Sequence, residues 1–182
     1  MPNVILDACV LFPMYLRDTL LSTAETGLYL PYWSQKILDE AIGNLINKKY
    51  LSVEKARKLE NVMKTAFPEA MVEVDVQLEK LMTNHPKDRH VLAAAVVAKA
   101  EIIVTKNIKD FQKPDLNSWN VKAQSPDDFL NDIFAEYPEI MIQVLLTQSQ
   151  NYKRNPLTFD QLLDKLSNQI PGFIEKIRTS IT

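Results

Sequence analysis

Val4-Ile5-Leu6-Asp7 is a short run of strand-forming side chains that ends at an acidic residue. A second such run, Ile102-Ile103-Val104-Thr105, leads into a polar loop over residues 106–110. Helical patterns separate the two runs, and this alternation is typical of an α/β fold built on a parallel sheet. If the two strands are neighbours, Asp7 and the loop lie together beyond their carboxyl ends, where such sheets bind ligands.

Caps and apolar spacing predict further elements between these two strands. In chain order they are a strand Leu28-Tyr29-Leu30 closed by Pro31, a helix capped by Ser34, a helix from Ser52 to before Pro68, a short strand within Met71 to Val76, and a helix from about Asp88 to Lys99. Glu40 lies off the apolar face of the first of these helices. Asn44 follows it one turn later on the same side.

The last third of the chain differs from the rest. Ser125-Pro126-Asp127-Asp128 has the N-cap, the proline and the acidic first turn that begin a helix. Only helical patterns follow, with further starts at Thr158 and Pro171. We therefore predict an α/β domain over residues 1–124 and a helical extension over residues 125–182. The amphipathic helices of the extension need a surface to cover them, either the first domain or a second copy of the chain in a homodimer.

Composition removes several functional classes. The 182 residues include one cysteine, Cys9, and two histidines, so neither a disulfide nor a Cys/His zinc site can form within the chain. The three glycines are far apart, which excludes a P-loop, a GxGxxG turn and a GxSxG nucleophile elbow. We therefore expect no nucleotide cofactor.

The charge and the apolar runs bear on location. The net charge is −2, and no basic leader precedes Val4. The longest apolar run, from Val91 to Ala98, is too short to span a bilayer. We interpret the chain as a cytoplasmic protein with no membrane partner.

Four carboxylates occupy places where active sites form on sheets. Asp7 follows the first strand, and Glu40 lies on a helix. Asp88 begins the most apolar helix, and Asp110 lies in the loop after the second strand. Each alone has an ordinary explanation, as a turn residue, a solvated glutamate, an N-cap or a loop acid. Gathered together they would repel one another and lose hydration, a cost that a divalent cation with oxygen ligands, Mg²⁺ or Mn²⁺, would offset.

Four segments that contain these acids follow one another in a characteristic order. They are Val4-Ile5-Leu6-Asp7, Trp33 to Glu40 with Asn44, Asp88 to Ala95, and Ile103 to Phe111. Across roughly residues 3–111 their order and spacing resemble the PIN domain, the metal-dependent nuclease domain of VapC-type toxins in bacterial toxin–antitoxin pairs. Pro126-Asp127-Asp128-Phe129-Leu130 and the helices after it resemble the C-terminal extension of one PIN subgroup.

The resemblance implies a three-layer α/β/α fold around a central parallel sheet, with Asp7, Glu40 and Asp88 as an acidic triad. Many family members carry a fourth acid two residues after the threonine of the last motif. Here Asn107 holds that place, and Asp110 is the nearest carboxylate. The implied catalytic residues are Asp7, Glu40, Asp88 and Asp110, the implied metal ligands are these four and Asn107, and the supporting residues are Thr105 and Asn44.

The implied chemistry is hydrolysis of RNA phosphodiester bonds with one or two Mg²⁺ or Mn²⁺ ions. The implied setting is a type II toxin–antitoxin system in which the partner is a cognate antitoxin protein. Two alternatives are a PIN fold kept as an RNA- or protein-binding module, which Asn107 favours, and a PIN nuclease of RNA processing. A HAD-type phosphatase is excluded, because Cys9 stands where its Asp-x-Asp motif needs the second aspartate. Ala8-Cys9 is also expected to remove a hydrogen bond, since small polar residues are common there in the family.

Basic side chains near these motifs are candidates for RNA contact. They are Arg17, Arg89, Lys48, Lys49, Lys55, Arg57 and Lys58. The lysine-rich stretch is expected either to flank the acidic pocket and contact phosphates or to be an ordinary solvated helix surface. For the two arginines the alternative is a structural ion pair with a nearby acid.

Overall fold

The computed structural model describes residues 1–181 and places a five-stranded parallel sheet at the centre of the fold. The strand order is β3-β2-β1-β4-β5. The strands are β1 (Asn3–Leu6), β2 (Leu30–Ser34), β3 (Met71–Val72), β4 (Ile102–Val104) and β5 (Lys122–Gln124). The prediction of an α/β fold on a parallel sheet is confirmed.

Eleven α-helices surround the sheet within the described residues. They are α1 (Ala8–Leu11), α2 (Met14–Glu25), α3 (Gln35–Asn47), α4 (Val53–Ala66), α5 (Val76–Lys80), α6 (Arg89–Val97), α7 (Lys113–Asn117), α8 (Pro126–Glu136), α9 (Pro138–Asn151), α10 (Phe159–Ser167) and α11 (Pro171–Ser180). The chain first moves outward from β1 to β3 and then crosses back to β4 and β5. Because crossovers between parallel strands are almost always right-handed, crossovers in these two opposite directions place helices on both faces of the sheet. This gives the predicted three layers. No helix of residues 1–181 has the length and apolar character needed to cross a membrane.

The central strand β1 positions the site. Val4, Ile5 and Leu6 are fully buried, because β1 is paired on both edges and covered on both faces. β1 pairs with β4 in a register that sets Leu6 beside Val104. The ends of these two strands therefore lie side by side, and the backbone N–H of Asp7 donates to the Val104 carbonyl at 3.1 Å.

One strand boundary differs from the prediction. We expected Pro31 to close a strand over residues 28–30, but β2 begins at Leu30 and runs through Pro31 to Ser34. The N–H of Leu30 donates to the Pro2 carbonyl on the β1 side. Alternation turns the nitrogen of Pro31 to the opposite side, where pairing with β3 begins only at Trp33. The proline therefore costs β2 no ladder hydrogen bond.

The helical extension packs on the α/β part of the same chain. The buried apolar side chains of α10 and α11 belong to the same continuous core as β1 and β4. Phe129 of α8 meets the buried Tyr29 edge to face, with ring centroids 5.0 Å apart. This core covers the amphipathic faces that we expected to need either the first domain or a second copy of the chain.

Candidate active site

Asp7 is fixed at the junction of β1 and β4. Its Oδ1 accepts the N–H of Ala8 at 2.7 Å, which caps α1. Its Oδ2 accepts the hydroxyl of Thr105 at 2.6 Å, and Thr105 Oγ1 in turn accepts the N–H of Asn107 at 3.0 Å. Only 3% of Asp7 is exposed. This network holds one carboxylate in place at the carboxyl edge of the sheet.

Cys9 completes the surroundings of Asp7, which corrects one expectation. We expected the change to Ala8-Cys9 to remove a hydrogen bond, but the Cys9 thiol donates to Asp7 Oδ2 at 3.3 Å. Cys9 Sγ also accepts the N–H of Lys106 at 3.2 Å. Burial, followed by the charge of Asp7, raises the pKa of the Cys9 thiol to about 12. The thiol therefore stays protonated and acts as a donor to the carboxylate rather than as a nucleophile.

Asp88 and Asp110 approach each other from two short 3-10 turns, Pro86–Asp88 and Ile108–Asp110. His85 precedes the first turn, and its N–H donates to the backbone carbonyl of Asp110 at 3.3 Å. One ligand atom from each of His85, Asp88 and Asp110 lies within 4.8 Å of the others. Our sequence reasoning overlooked His85, and the only signal for it was its position three residues before Asp88.

Glu40 projects from α3 and is paired with a buried histidine. Glu40 Oε1 lies 3.0 Å from His90 Nε2, where the glutamate side chain is 42% exposed and the histidine side chain 2%. The two atoms are close enough for an ion pair, but their geometry does not meet that of a hydrogen bond. His90 Nδ1 has no hydrogen-bond partner among residues 1–181. His90 thus limits where the Glu40 carboxylate can lie.

The four acids act on one another electrostatically. Burial raises the pKa of Asp7, and the charge of Glu40 raises it further, against the lowering effect of the Thr105, Cys9 and Ala8 hydrogen bonds. Burial, then the charges of Asp7 and Asp110, raises the pKa of Asp88 to about 6. Asp7 thus interacts electrostatically with Glu40 and with Asp88, and Asp88 interacts with Asp110. Asp7 and Glu40 stand outside the tight 4.8 Å group.

This donor set fits a divalent cation. It offers several carboxylate oxygens and one imidazole nitrogen. Burial, and after it the charge of neighbouring acids, raises the pKa of two of the carboxyls, Asp7 and Asp88. Such oxygen-rich sets suit Mg²⁺ and Mn²⁺.

The other residues that the sequence predicted for the site differ in how far they are exposed to solvent. Thr105 is buried, Asn107 is half-buried, and Asn44 is exposed on α3. The side chains of Lys48, Lys49, Lys55, Arg57 and Lys58 are all exposed around the end of α3 and along α4.

The two arginines have structural partners. Arg17 is 5% exposed, and its Nη1 donates to the backbone carbonyl of Leu11 at 3.1 Å, at the end of α1. That position does not suit the RNA contact we considered for Arg17, because its guanidinium faces the interior. Arg89 is half-buried, and its Nε donates to the carbonyl of Asn84 at 3.1 Å.

The raised pKa of Asp88 predicts an inverse pH dependence of stability in metal-free protein. A carboxyl whose folded pKa is about 6, against an ordinary 3.8, binds its proton more tightly in the folded state. The free energy of unfolding should therefore fall as the pH rises through that window. We expect a loss of about 0.5–1 kcal/mol between pH 5 and pH 7, after discounting for solvent screening.

Urea unfolding in EDTA at the two pH values would measure this loss. Asp88→Asn is the matched control, since it removes the titrating group and should flatten the difference. The same pH response in Asp88→Asn as in the wild type would contradict the assignment to Asp88.

Comparison with known sequences finds two family models and one relative that match this chain. Residues 3–109 match the family model of the PIN domain, and residues 126–179 match that of the VapC50 C-terminal domain. A Mycobacterium tuberculosis (strain ATCC 25618 / H37Rv) protein described as "Putative ribonuclease VapC50" is 47% identical over 97 residues. The matched stretch covers 53% of this chain and 57% of that protein, so the chain spans little more than half the length of the curated relative.

Proposed function

The chain belongs to the PIN-domain family, and from this membership we propose that it is a divalent-metal-dependent endoribonuclease that hydrolyses RNA phosphodiester bonds. The observation that carries the proposal is the cluster of Asp88 and Asp110, whose ligand atoms lie within 4.8 Å of each other. Asp7, at the carboxyl end of β1, is near enough for its charge to raise the pKa of Asp88. The match to a relative described as a ribonuclease supports RNA as the substrate.

The roles of the chain's own residues follow from their contacts. Asp88 and Asp110, with Asp7 and Glu40 beside them, would hold one or two Mg²⁺ or Mn²⁺ ions. When bound, such ions polarise the phosphate and lower the pKa of water. Thr105 and the Cys9 thiol keep Asp7 fixed by donating to its Oδ2.

A metal titration tests the proposal. EDTA-treated protein should leave an end-labelled RNA intact, and added Mn²⁺ or Mg²⁺ should restore cuts at internal positions. An RNA left uncut by the metal-loaded protein, across several unrelated sequences, would favour the alternative of a binding module.

We expect the fourth acidic role to belong to Asp110 rather than to Asn107. Asp110 contributes to the 4.8 Å cluster with Asp88, whereas the described hydrogen bonds of Asn107 are made by its backbone: its N–H donates to Thr105 and its carbonyl accepts from the Asp110 N–H. Asp110→Ala should therefore lower the rate of metal-dependent cleavage at least about tenfold more than Asn107→Ala does. Single-turnover cleavage of one RNA by both variants measures the ranking, and the reverse order would return the role to Asn107.

The exposed basic surface of α3 and α4 is proposed to contact RNA phosphates. For single-stranded RNA, removing one phosphate contact should reduce the slope of log affinity against log salt by about 0.7. Replacing Lys55, Arg57 and Lys58 together by glutamine should thus weaken RNA binding and flatten its salt dependence. Lys153→Gln, another exposed lysine, is the control. Unchanged slopes for the triple variant would show that this surface is only solvated.

We also propose that the protein acts in the cytoplasm as the toxin of a type II toxin–antitoxin pair, with a cognate antitoxin protein as its partner. The matches to the VapC50 C-terminal domain and to the M. tuberculosis relative support this cellular role.

A further inference from the structure

We propose that His85 supplies a nitrogen ligand to the cation beside Asp88 and Asp110, so that the site selects Mn²⁺ over Mg²⁺. The inference rests on the proposed function, in which a divalent cation binds at this edge of the sheet. It adds the identity of the ion and a ligand that lies outside the four acid-bearing motifs.

Backbone hydrogen bonds set the three side chains in position. The Asp88 N–H donates to the His85 carbonyl at 2.9 Å and closes the turn between them. The His85 N–H donates to the Asp110 carbonyl at 3.3 Å, and the Asp110 N–H donates to the Asn107 carbonyl at 2.8 Å. The two 3-10 turns are thus bonded to each other, and the ligand atoms lie within 4.8 Å of one another.

The His85 ring is free to bind an ion. It is exposed, and the described hydrogen bond to it is a long one of 3.4 Å, from the Lys87 N–H to Nδ1. His90 differs, because it is buried and lies against Glu40. His85 therefore makes no strong contact within the described residues that would explain its place beside two aspartates.

Buried polar side chains on either side of the cluster in the sequence lack hydrogen-bond partners among residues 1–181. Asn84, the residue before His85, is 2% exposed, and neither its Nδ2 nor its Oδ1 has a hydrogen-bond partner among residues 1–181. Nδ1 of His90, two residues after Asp88, is also without a partner there. Buried polar groups without protein partners are commonly satisfied by an ordered water or an ion.

The chemistry of the donors indicates the ion. Mg²⁺ takes oxygen ligands and keeps several waters, so an imidazole adds little to its binding. Mn²⁺ accepts oxygen ligands equally well and also binds imidazole nitrogen more readily than Mg²⁺ does. A set of two carboxylates and one imidazole therefore favours Mn²⁺.

Electron spin-echo spectroscopy of the Mn²⁺-loaded protein tests the ligand directly, because nitrogen bound to Mn²⁺ modulates the echo. The chain contains two histidines, so in tag-free protein an imidazole signal can come only from His85 or His90. We expect the signal in the wild type and in His90→Gln, and its loss in His85→Gln and His85→Asn. A wild type without the signal, or a signal that survives in both His85 variants, would overturn the proposal.

Calorimetric titration tests the selectivity. His85→Gln should weaken Mn²⁺ binding at least about tenfold and change Mg²⁺ binding by less than about threefold. Equal losses for both ions would refute the selectivity. Thermal unfolding of the metal-free variants checks that they fold. We expect them to fold, because His85 is exposed and its side chain is not part of the core. If the nitrogen signal is found but no RNA is cut, the proposed function fails while the ligand assignment stands. If RNA is cut but no nitrogen signal is found, the ligand assignment fails while the proposed function stands.

Discussion

Asp7→Asn is expected to lower the rate of metal-dependent RNA cleavage by more than about 100-fold. Replacing a residue that only orients a metal ligand costs up to about 100-fold, and a residue that itself holds the ion should cost more. The substitution removes the negative charge and keeps the size of the side chain. Its Oδ1 can still accept the Ala8 N–H, and its new amide can donate to Thr105 Oγ1, since a hydroxyl accepts as well as donates. Because burial already raises the pKa of Asp7, a neutral side chain should leave the fold intact.

Cleavage of a labelled RNA at saturating Mn²⁺, with circular dichroism of the same preparations, measures this effect. Asp160→Asn is the matched control, since the Asp160 side chain is 78% exposed, and it should cleave at the wild-type rate. In cells, expression of the wild type without its antitoxin should arrest growth, and Asp7→Asn should relieve the arrest. Equal toxicity of the two proteins would contradict the nuclease-toxin proposal. Cleavage in vitro without growth arrest would point to RNA processing instead.

Phe173→Ala is expected to lower the free energy of unfolding of the whole chain by about 3–5 kcal/mol, as for other fully buried aromatic side chains. Phe173 of α11 is fully buried and meets Phe134 of α8 edge to face, with ring centroids 5.9 Å apart. Its N–H donates to Asp127 Oδ1, which also ties the start of α11 to α8. Since these residues share a core with the sheet, the loss should appear in a single cooperative transition.

Urea unfolding followed both by tryptophan fluorescence and by circular dichroism tests that cooperativity. Ile140→Ala, at a position that is 39% exposed on α9, should change the stability by less than about 0.5 kcal/mol. Two separate transitions, with only one sensitive to Phe173→Ala, would mean that residues 125–182 unfold as an independent unit. In that case truncation after Ala123 should leave metal binding intact, as expected for an appendage.

Local features of the sequence predicted the starts of α3, α4, α8 and α10 correctly. Ser34, Ser52, Ser125 and Thr158 all accept the backbone N–H three residues later, as N-caps do. These features can be identified without the fold, because a cap and an apolar face act within a few residues of the chain. The parallel α/β class was predictable for the same reason, since it follows from the alternation of elements.

Where the charged side chains lie, and what they contact, could be determined only from the folded chain. Arg17 has the same formal charge whether it faces RNA or donates to the Leu11 carbonyl, and only the folded chain decides that it is buried. Asp7 and Thr105 are 98 residues apart, and they meet because β1 and β4 are paired in one register. His85 lies beside Asp110 through a hydrogen bond between two loops. Such contacts depend on strand order and loop closure, which no local pattern encodes.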